Sequence, residues 1–502
     1  MELLQRIEQA VVSGRSALES LGSVYASSIQ SVEGAFVFMA KLPEGKRIVV
    51  GPVQTVANKF DGQWVGTLKA CPLWSYNAAQ LRSLFPWTAP CAIGNRVSFG
   101  TGDRVGLATP GHVRAFREFV VFPVLAQQSM RELGRTKRVP QDVIDDATFG
   151  VFQEGWKEGY AADADHIKTV DEAVMCFKTG FTMFTIDAAD HINRKGVYLS
   201  DGDAVTELNG RKDSAKIREQ YTGKSVRFEE DGVVVEFTFS EADLGRAVAT
   251  YGKAVDHMVS VWEALKKVAG NTEFDFEISV DETETDTLPK DHYFVASELL
   301  RRGVKFRSLA PKFVGQFQKG IDYIGDVAEF ERQFSAHALI ARKCGGYKIS
   351  VHSGSDKFTI FPIVGKYTKG YFHGKTAGTS WLEAVRVAAA KAPNLYRRMH
   401  KFALERFEED RKSYHVTTNI ANIPDVDTLS DNDLAALLDA VDSRQLMHIT
   451  YGSILSTLDE KGALLFKTEL FKVLEKEEEV HYSFLKKHMV RHMELLGLRR
   501  RN

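Results

Sequence analysis

From residue 97 onward the chain alternates short apolar runs with longer segments in which apolar residues recur at helical spacing. Short runs rich in apolar and β-branched residues predict buried strands, and the segments between them predict amphipathic helices. Eight runs are predicted to be strands, over residues 97–108, 120–126, 160–166, 181–187, 274–282, 304–311, 347–352 and 370–374. The clearest helices are predicted over 247–268, 292–302, 327–343 and 380–392. Because alternating strands and helices build a parallel sheet, the predicted fold class is α/β, with a TIM-like (β/α)8 barrel favoured over an open sheet.

The same pattern predicts segments on either side of the barrel. Residues 1–93 are expected to form a mixed α/β N-terminal extension, residues 94–392 the barrel, and residues 393–502 a helical region that serves as a cover or an oligomer surface. An insertion over 196–240 contains a predicted hairpin at 226–237, with Asp231-Gly232 as its turn. We expect this hairpin to cover one end of the barrel.

Composition narrows the class of protein. The chain has 502 residues, 44% of them hydrophobic, and a formal net charge of -1, which gives no electrostatic footprint for nucleic acid or an anionic membrane. No apolar run is long enough for a transmembrane helix, and the charged first helix is not a signal peptide. The four cysteines fall at no disulfide or metal spacing. These features predict a soluble cytoplasmic protein with a small-molecule partner, and they leave homo-oligomerisation open.

Acidic and histidine residues follow three of the predicted strands. The run from Phe274 ends in the acids Asp281, Glu282 and Glu284, with Glu277 deeper in the strand, and two other runs end at His166 and His352. Carboxyl ends of barrel strands meet at one rim, and buried carboxylates require neutralisation. We therefore expect His166, Glu282 and His352 to hold a divalent metal ion, with Zn, Mn, Ni and Fe all suited to these ligands. Three alternatives stay open: that the histidines only form hydrogen bonds, that Asp281 caps the segment that follows it, and that Glu277 rather than Glu282 is the carboxylate ligand.

Other strand ends carry neutral hydrogen-bonding groups and lysines. Amides, hydroxyls and ammonium groups around a histidine–carboxylate centre suit a polyhydroxylated anion such as a sugar acid. The candidate substrate contacts are Gln127, Gln128, Ser129, Lys168, Lys312 and His373. Lys357 and Lys375 are expected to serve mainly as salt-bridge partners, and Asp163 and Asp187 also stand at strand ends.

Nucleotide and serine-hydrolase motifs are missing from the sequence. The glycines of 100–106 resemble a dinucleotide fingerprint, but the third glycine comes one residue late and no acid follows about twenty residues later. The sequence contains no Walker A loop, no His-Glu-x-x-His and no Gly-x-Ser-x-Gly. Nucleotide-driven chemistry and serine hydrolysis are therefore disfavoured.

Five segments taken together resemble the tagaturonate epimerase family. They are GDRVGLATPGH (102–112), AQQSMRE (126–132), DADHIK (163–168), SVDET (279–283) and SVHSGSDK (350–357), and the resemblance spans roughly residues 94–390. It implies a metal-dependent enzyme on a TIM-like barrel that interconverts D-tagaturonate and D-fructuronate in bacterial galacturonate breakdown. It is compatible with metal ligation by His166, Glu282 and His352. Asp165-His166 and His352-Ser-Gly-Ser also resemble the Asp-His and His-Gly-Gly-Ser motifs of class II metal-dependent aldolases, although Ser353 replaces one of their glycines.

The implied reaction inverts C4 of a 2-ketohexuronate. The C4 proton is not adjacent to the C2 carbonyl, so retro-aldol cleavage of C3–C4 and re-addition through a metal-stabilised enediolate is the expected route. An acid/base must act at the C4 hydroxyl, and Asp165 is the first candidate and Asp281 the second. Lys168 or Lys312 is expected to hold the C6 carboxylate, and the amides and hydroxyl of 127–129 the substrate hydroxyls.

Two other functions stay open. The first is a class II-type aldolase or another keto-sugar isomerase, which the aldolase-like motifs favour. The second is a non-catalytic sugar-acid binding protein, which the many ionisable groups at strand ends disfavour.

Overall fold

The N-terminal segment is an antiparallel sheet covered by helices on both faces. The computed structural model describes residues 2–283, 285–376 and 378–501. The sheet has the strand order β1-β2-β3-β5-β4, with β1 (Gln30–Val32), β2 (Ala35–Leu42), β3 (Gly45–Gly51), β4 (Gln63–Val65) and β5 (Leu68–Cys71). The helices are α1 (Glu2–Ser13), α2 (Arg15–Glu19), α3 (Gln54–Ala57) and α4 (Ser75–Leu84). Alternation along β2 sends Phe38 towards α1 and Val37 towards α4, so both faces of the sheet are buried.

Eight parallel strands close into a barrel in the order of the chain. The strands after residue 97 are β6 (Ser98–Thr101), β7 (Phe122–Ser129), β8 (Ala161–Ile167), β9 (Met183–Asp187), β10 (Ser225–Glu230), β11 (Val233–Thr238), β12 (Asp275–Ser279), β13 (Ser308–Ala310), β14 (Lys348–Val351) and β15 (Phe372–Thr376). All except β10 and β11 belong to the barrel, and β15 pairs with β6 to close it. Each of the eight predicted strands overlaps one barrel strand, and the predicted TIM-like barrel is confirmed.

Helices surround the barrel and explain why its strands are buried on both faces. They are α5 (Thr109–Phe116), α6 (Met130–Thr136), α7 (Pro140–Glu154), α8 (Val170–Thr179), α9 (Asp201–Gly210), α10 (Ser214–Tyr221), α11 (Glu241–Ala269), α12 (Pro289–Arg301), α13 (Val327–Lys343), α14 (Phe361–Thr368) and α15 (Thr379–Lys391). On β12, Phe276 and Ile278 pack in the core shared with these helices, while Glu277 points into the barrel and meets polar side chains of other strands. The barrel interior is therefore polar near the middle of this strand.

The predicted hairpin forms, but at a different place from the one expected. Strands β10 and β11 pair around Asp231 and Gly232, which both have positive φ (51° and 79°), as a two-residue hairpin turn requires. Val235 of the hairpin packs against Leu339 and Ile340 of α13. The hairpin therefore covers the outer helices rather than an end of the barrel, because its apolar face finds its partner on α13.

The C-terminal region is helical, as predicted, and its connecting segments reach the carboxyl-end rim of the barrel. Its helices are α16 (Pro393–Asp410), α17 (Val441–Ile449), α18 (Tyr451–Ser456), α19 (Lys467–Lys476) and α20 (Glu478–Leu495). They share a buried core with α15 that includes Trp381 and Tyr396. None of the helices in the described residues combines the length and the apolar character needed to span a membrane.

Candidate active site

A cluster of ionisable side chains lies where four barrel strands end. β8 supplies Asp163, Asp165 and His166, the end of β12 supplies Glu277, Asp281 and Glu282, the residue after β14 is His352, and β15 supplies Lys375. Glu284, also predicted for this rim, lies outside the described residues. The carboxyl ends of parallel strands meet at this edge, which is where TIM barrels place their reactive groups.

His166 reaches the cluster through an irregularity at the end of β8. Its φ is 53°, in the left-handed region, and the pairing of β8 with β9 shifts register between Ala164 and Ile167. Nδ1 of His166 lies 2.8 Å from Oδ1 of Asp165. Its Nε2 lies 3.9 Å from Oδ1 of Asp281 and 3.8 Å from Oε1 of Glu282. The bond to Asp165 therefore leaves Nε2 directed at the carboxylates that follow β12.

His352 is held in a similar way by the carboxylates of β12. Its Nε2 lies 2.7 Å from Oε1 of Glu277, inside the barrel, and its Nδ1 lies 3.0 Å from Oδ1 of Asp281. The rings of His166 and His352 are 5.1 Å apart between centroids. Glu277, which sequence reasoning left as an alternative metal ligand, instead orients His352.

Three side chains offer ligand atoms to one point in this cluster. The ligand atoms of His166, Asp281 and His352 all lie within 4.8 Å of one another. Each histidine gives its other ring nitrogen to a carboxylate, which is the usual way in which proteins orient metal-binding imidazoles. Glu282, the predicted third ligand, is bound at 3.0 Å by Nη2 of Arg131. The geometry therefore favours Asp281, which the sequence suggested as an acid/base, as the carboxylate ligand.

Buried charges in the cluster are balanced around Lys375. Its Nζ lies 2.7 Å from Asp163, 2.7 Å from Asp165 and 3.1 Å from Glu277. Burial lowers the pKa of Lys375, but these three carboxylates outweigh burial and raise it well above its usual value. Lys375 was expected to be a salt-bridge partner, and it neutralises part of a charge that would otherwise be too costly to bury.

The negative charge that Lys375 does not neutralise suits a divalent cation. Burial lowers the pKa of His166, but Asp165 and the two carboxylates after β12 outweigh burial and raise it to about 10. The carboxylates of Asp163, Asp165, Glu277 and Asp281 thus face one ammonium and two imidazoles that favour a positive charge. One divalent cation held by neutral imidazoles would supply the same positive charge as two protonated rings, so the donor set fits such an ion.

The cleft beside the cluster opens to solvent and has a cavity volume of about 40 Å³. Its lining includes Asp165, His166, His352 and Lys375 from the cluster. The lining side chains that come from elsewhere are Arg104, Gln127, Ser129, Arg131, Glu132, Lys319, Ser353, Tyr414 and His448. Tyr414 and His448 belong to the C-terminal region, so that region covers the rim.

Three of the predicted substrate contacts line the cleft or the cavity next to it. Gln127 donates from Nε2 to the carbonyl of Thr376 at 3.1 Å, and its buried Oε1 has no hydrogen-bond partner among the described residues. Ser129 lines the cleft while its hydroxyl caps α6. Lys312 lines the adjoining cavity, together with Asp281 and Glu282. These three residues stay candidates for substrate binding.

The other three predicted substrate contacts are placed elsewhere. Gln128 follows Gln127 on β7 and points to the opposite face, where it accepts from Arg138 at 2.9 Å. Lys168 donates to Asp190 at 2.8 Å and does not line the cleft. His373 lies deeper in the barrel, with Nδ1 2.9 Å from the hydroxyl of Ser98. The strand position that reaches the rim from β15 is Lys375, two residues later, and none of the three residues lines the cleft or the adjoining cavity.

Sequence reasoning missed several residues of the cleft. Arg131, Lys319, Tyr414 and His448 come from a helix start, a loop and the C-terminal region. Arg131 comes two positions after the strand-end residue Ser129, and this position in the sequence indicated a residue of the rim. The other three lie outside any strand end, and only the folded chain brings them to the rim.

The chain is similar in sequence and in fold to known tagaturonate/fructuronate epimerases. The family model of tagaturonate epimerase matches residues 25–496. A tagaturonate/fructuronate epimerase of Thermotoga maritima is 44% identical over 478 residues, which are 94% of this chain and 96% of that protein. The crystal structure of a fructuronate-tagaturonate epimerase from Cohnella laeviribosi with one glycerol is similar with a TM-score of 0.92 and 41% identity, covering 99% of this chain and 100% of that one. Its native structure gives a TM-score of 0.91 and 42% identity, covering 98% and 100%.

Proposed function

The chain belongs to the tagaturonate epimerase family, and we propose that it inverts C4 of a 2-ketohexuronate, interconverting D-tagaturonate and D-fructuronate. The observation that carries this proposal is the convergence of His166, Asp281 and His352 beside a cleft lined by polar and cationic side chains. Family membership supports the reaction, and the geometry supports the way in which this chain performs it.

Metal dependence is part of the proposal. His166, Asp281 and His352 would hold a divalent cation, and Asp165 and Glu277 would orient the two imidazoles. A cation bound there supplies Lewis-acid stabilisation of negative charge that develops on substrate oxygens. Nitrogen and carboxylate ligands accommodate Zn, Mn, Ni or Fe.

Asp165 is the group proposed to move the proton of the C4 hydroxyl. It lines the cleft, and the pKa of its carboxyl is held well below its usual value because His166 and Lys375 outweigh burial. It is therefore ionised and accepts the hydroxyl proton as the C3–C4 bond breaks. The bond electrons move to the C2 carbonyl, and C4 becomes an aldehyde carbon. Rotation of the aldehyde, re-formation of the bond and return of the proton invert C4.

The adjoining cavity offers a carboxylate for the other face of C4. Glu282 lines it together with Lys312, and Asp165 lines the first cleft. Both cavities share His352, so we place the substrate across them, with Asp165 in one cavity and Glu282 in the other. Glu282 therefore replaces Asp281 as the proposed second acid/base.

Recognition of the C6 carboxylate is assigned to Lys319. Its side chain lines both cavities, is half-buried and donates to Ser353 at 2.7 Å. Lys168 is bound to Asp190 outside the cleft, so it is not retained for this role. Arg131 is bound to Glu282 and positions that carboxylate.

The test is conversion of D-tagaturonate followed by proton NMR with the full-length protein. We expect fructuronate signals with added metal, their loss after treatment with a chelator, and their return when metal is restored. Accumulation of free three-carbon products would indicate an aldolase instead. Binding without any turnover at every metal loading would indicate a sugar-acid binding protein.

A further inference from the structure

A second cluster of potential metal ligands lies behind the loop that carries His352. Asp356 follows His352 by four residues, and His488 and His492 stand one turn apart on α20. We call Asp356, His488 and His492 the second cluster. Their side chains are at least nine-tenths buried, with 6%, 9% and 0% of the side-chain surface exposed.

Distances in the second cluster are close to those of a coordinated ion. Oδ1 of Asp356 lies 3.6 Å from Nε2 of His488 and 3.7 Å from Nε2 of His492. All three ligand atoms lie within 4.8 Å of one another. Neighbouring ligands of a tetrahedral zinc ion with bonds near 2.0–2.1 Å are about 3.3 Å apart. The two distances from Oδ1 of Asp356 to the imidazole nitrogens exceed this value by only a few tenths of an ångström.

Surrounding groups fix which atom of each side chain faces the centre. Nδ1 of His492 donates to the carbonyl of His488 at 2.8 Å, so its Nε2 carries a lone pair. Nδ1 of His488 lies 3.8 Å from Oε1 of Glu383, on the far side of its ring. Oδ2 of Asp356 accepts from Nη2 of Arg444 at 2.6 Å, which leaves Oδ1 directed at the two rings. Such outer partners are the usual supports of metal ligands.

Two of the inward-facing atoms have no partner. Oδ1 of Asp356 and Nε2 of His488 are buried, and neither has a hydrogen bond within the described part of the chain. Nε2 of His492 accepts the backbone N–H of Asp356 at 3.0 Å, and an ion would replace that single bond. Buried polar atoms without a hydrogen bond are costly, and a cation between Oδ1 of Asp356 and Nε2 of His488 would remove that cost.

We propose that Asp356, His488 and His492 bind a second divalent cation, of the zinc class, that ties α20 to the loop after β14. Two imidazoles and one carboxylate form a donor set suited to such borderline metals. Because Asp356 and His352 share one short loop, the second ion would also hold the active-site histidine in place.

Charges around the second cluster permit a cation. Arg444 is bound to Asp356, and Arg386 is bound to Glu383 and Asp439. The cations on the solvent side of α20, Lys487 and Arg491, are exposed and therefore screened. The cleft lined by His488 and Arg444 provides an entry path from solvent.

The test is the number of zinc ions bound per full-length chain, measured by elemental analysis after chelation, reloading with zinc and desalting. We expect two equivalents for the wild type, one for His488→Gln and one for His166→Gln. His481→Gln is the matched control, because His481 is also a buried histidine of α20 but lies outside the second cluster, and it should keep two. A zinc content of His488→Gln equal to that of the wild type would overturn the proposal, whatever the occupancy of the active site.

X-ray absorption of zinc-loaded His166→Gln tests the same site without altering it. Its remaining zinc should show two imidazole ligands, from His488 and His492. A single imidazole would place that zinc on His352 and would contradict the second site. This outcome is independent of epimerase activity, so the proposed function and the second site can fail separately.

Discussion

Nδ1 of His166 lies 2.8 Å from Oδ1 of Asp165, its immediate neighbour in the sequence. Neighbouring residues of a regular strand point to opposite faces of the sheet. Both side chains reach the same site here because His166 adopts a φ of 53° where the register of β8 shifts. Irregularities of this kind re-aim side chains next to active sites. One short segment thereby supplies the proposed metal ligand His166 and, in Asp165, a carboxylate that orients it and is also the proposed proton acceptor.

Asp165→Asn should abolish most of the epimerase activity while leaving a site that still binds metal. An amide cannot accept the C4 hydroxyl proton, and loss of general-base catalysis lowers kcat by about 10²- to 10⁴-fold. Because Asp165 also orients His166, metal affinity should fall by about 10- to 100-fold, so the rate must be measured at saturating metal. Activity within threefold of the wild type under those conditions would remove Asp165 from this role.

The variants Asp281→Asn and Glu282→Gln should show which carboxylate binds the metal and which one acts as the second acid/base. Asp281→Asn should lose the zinc ion of the active site, because its carboxylate faces both histidines. Glu282→Gln should keep that ion and lower kcat, because Glu282 is bound to Arg131 and lines the adjoining cavity. The measurements are zinc content and initial rate for each variant. The reverse pattern would restore Glu282 as the ligand predicted from the sequence.

Zinc binding to the active site should strengthen as pH rises. In the metal-free protein the carboxylates around His166 outweigh burial and raise its pKa to about 10, so the ring is protonated at neutral pH. Metal needs the lone pair and must expel that proton, so the apparent Kd should fall about tenfold per pH unit between about pH 6 and 9. His352, whose pKa is also raised, would steepen the slope.

The measurement for this pH dependence is competition with a chelator of known pH behaviour. His488→Gln isolates the active site, because it removes the second cluster. An affinity that does not change with pH would show that His166 is neutral before metal binds.

Lys319→Met should weaken substrate binding more than turnover. Removing an ammonium that binds a carboxylate costs about 1.5–3 kcal/mol, which raises KM by about 10- to 100-fold. Lys168→Met is the matched control, because Lys168 is bound to Asp190 outside the cleft, and its KM should stay within twofold of the wild type. Steady-state kinetics with D-tagaturonate distinguish the two variants. An equal rise in KM in both variants would contradict the assignment of the C6 carboxylate to Lys319.

The strands of the barrel were predictable because each is a short apolar run between polar segments. The polar side chains inside β12 do not hide its pattern, since Phe276 and Ile278 alternate with them and pack against the helices. The position of the hairpin was not predictable, because its apolar partners on α13 lie about a hundred residues away in sequence. The division into domains, the cytoplasmic location and homo-oligomerisation stay predictions.

The histidines of the site were predictable from strand ends, but the role of each carboxylate was not. Asp281 and Glu282 are adjacent in sequence, and only the folded positions of His352 and Arg131 separate them. Lys319, Tyr414 and His448 reach the cleft from loops and the C-terminal region, so no strand-end rule could find them. Gln128 and His373 were misplaced because strand parity and depth in the barrel decide which side chains reach the rim.

The central claim is inversion of C4 by metal-dependent cleavage and re-formation of the C3–C4 bond. The most direct test is proton NMR of D-tagaturonate with the zinc-loaded protein in D2O, with the metal-free protein beside it. We predict fructuronate only in the metal-loaded sample, with the original hydrogen retained at C4, because that C–H bond is never broken. Deuterium at C4 of the product, or conversion by the metal-free protein, would contradict the account.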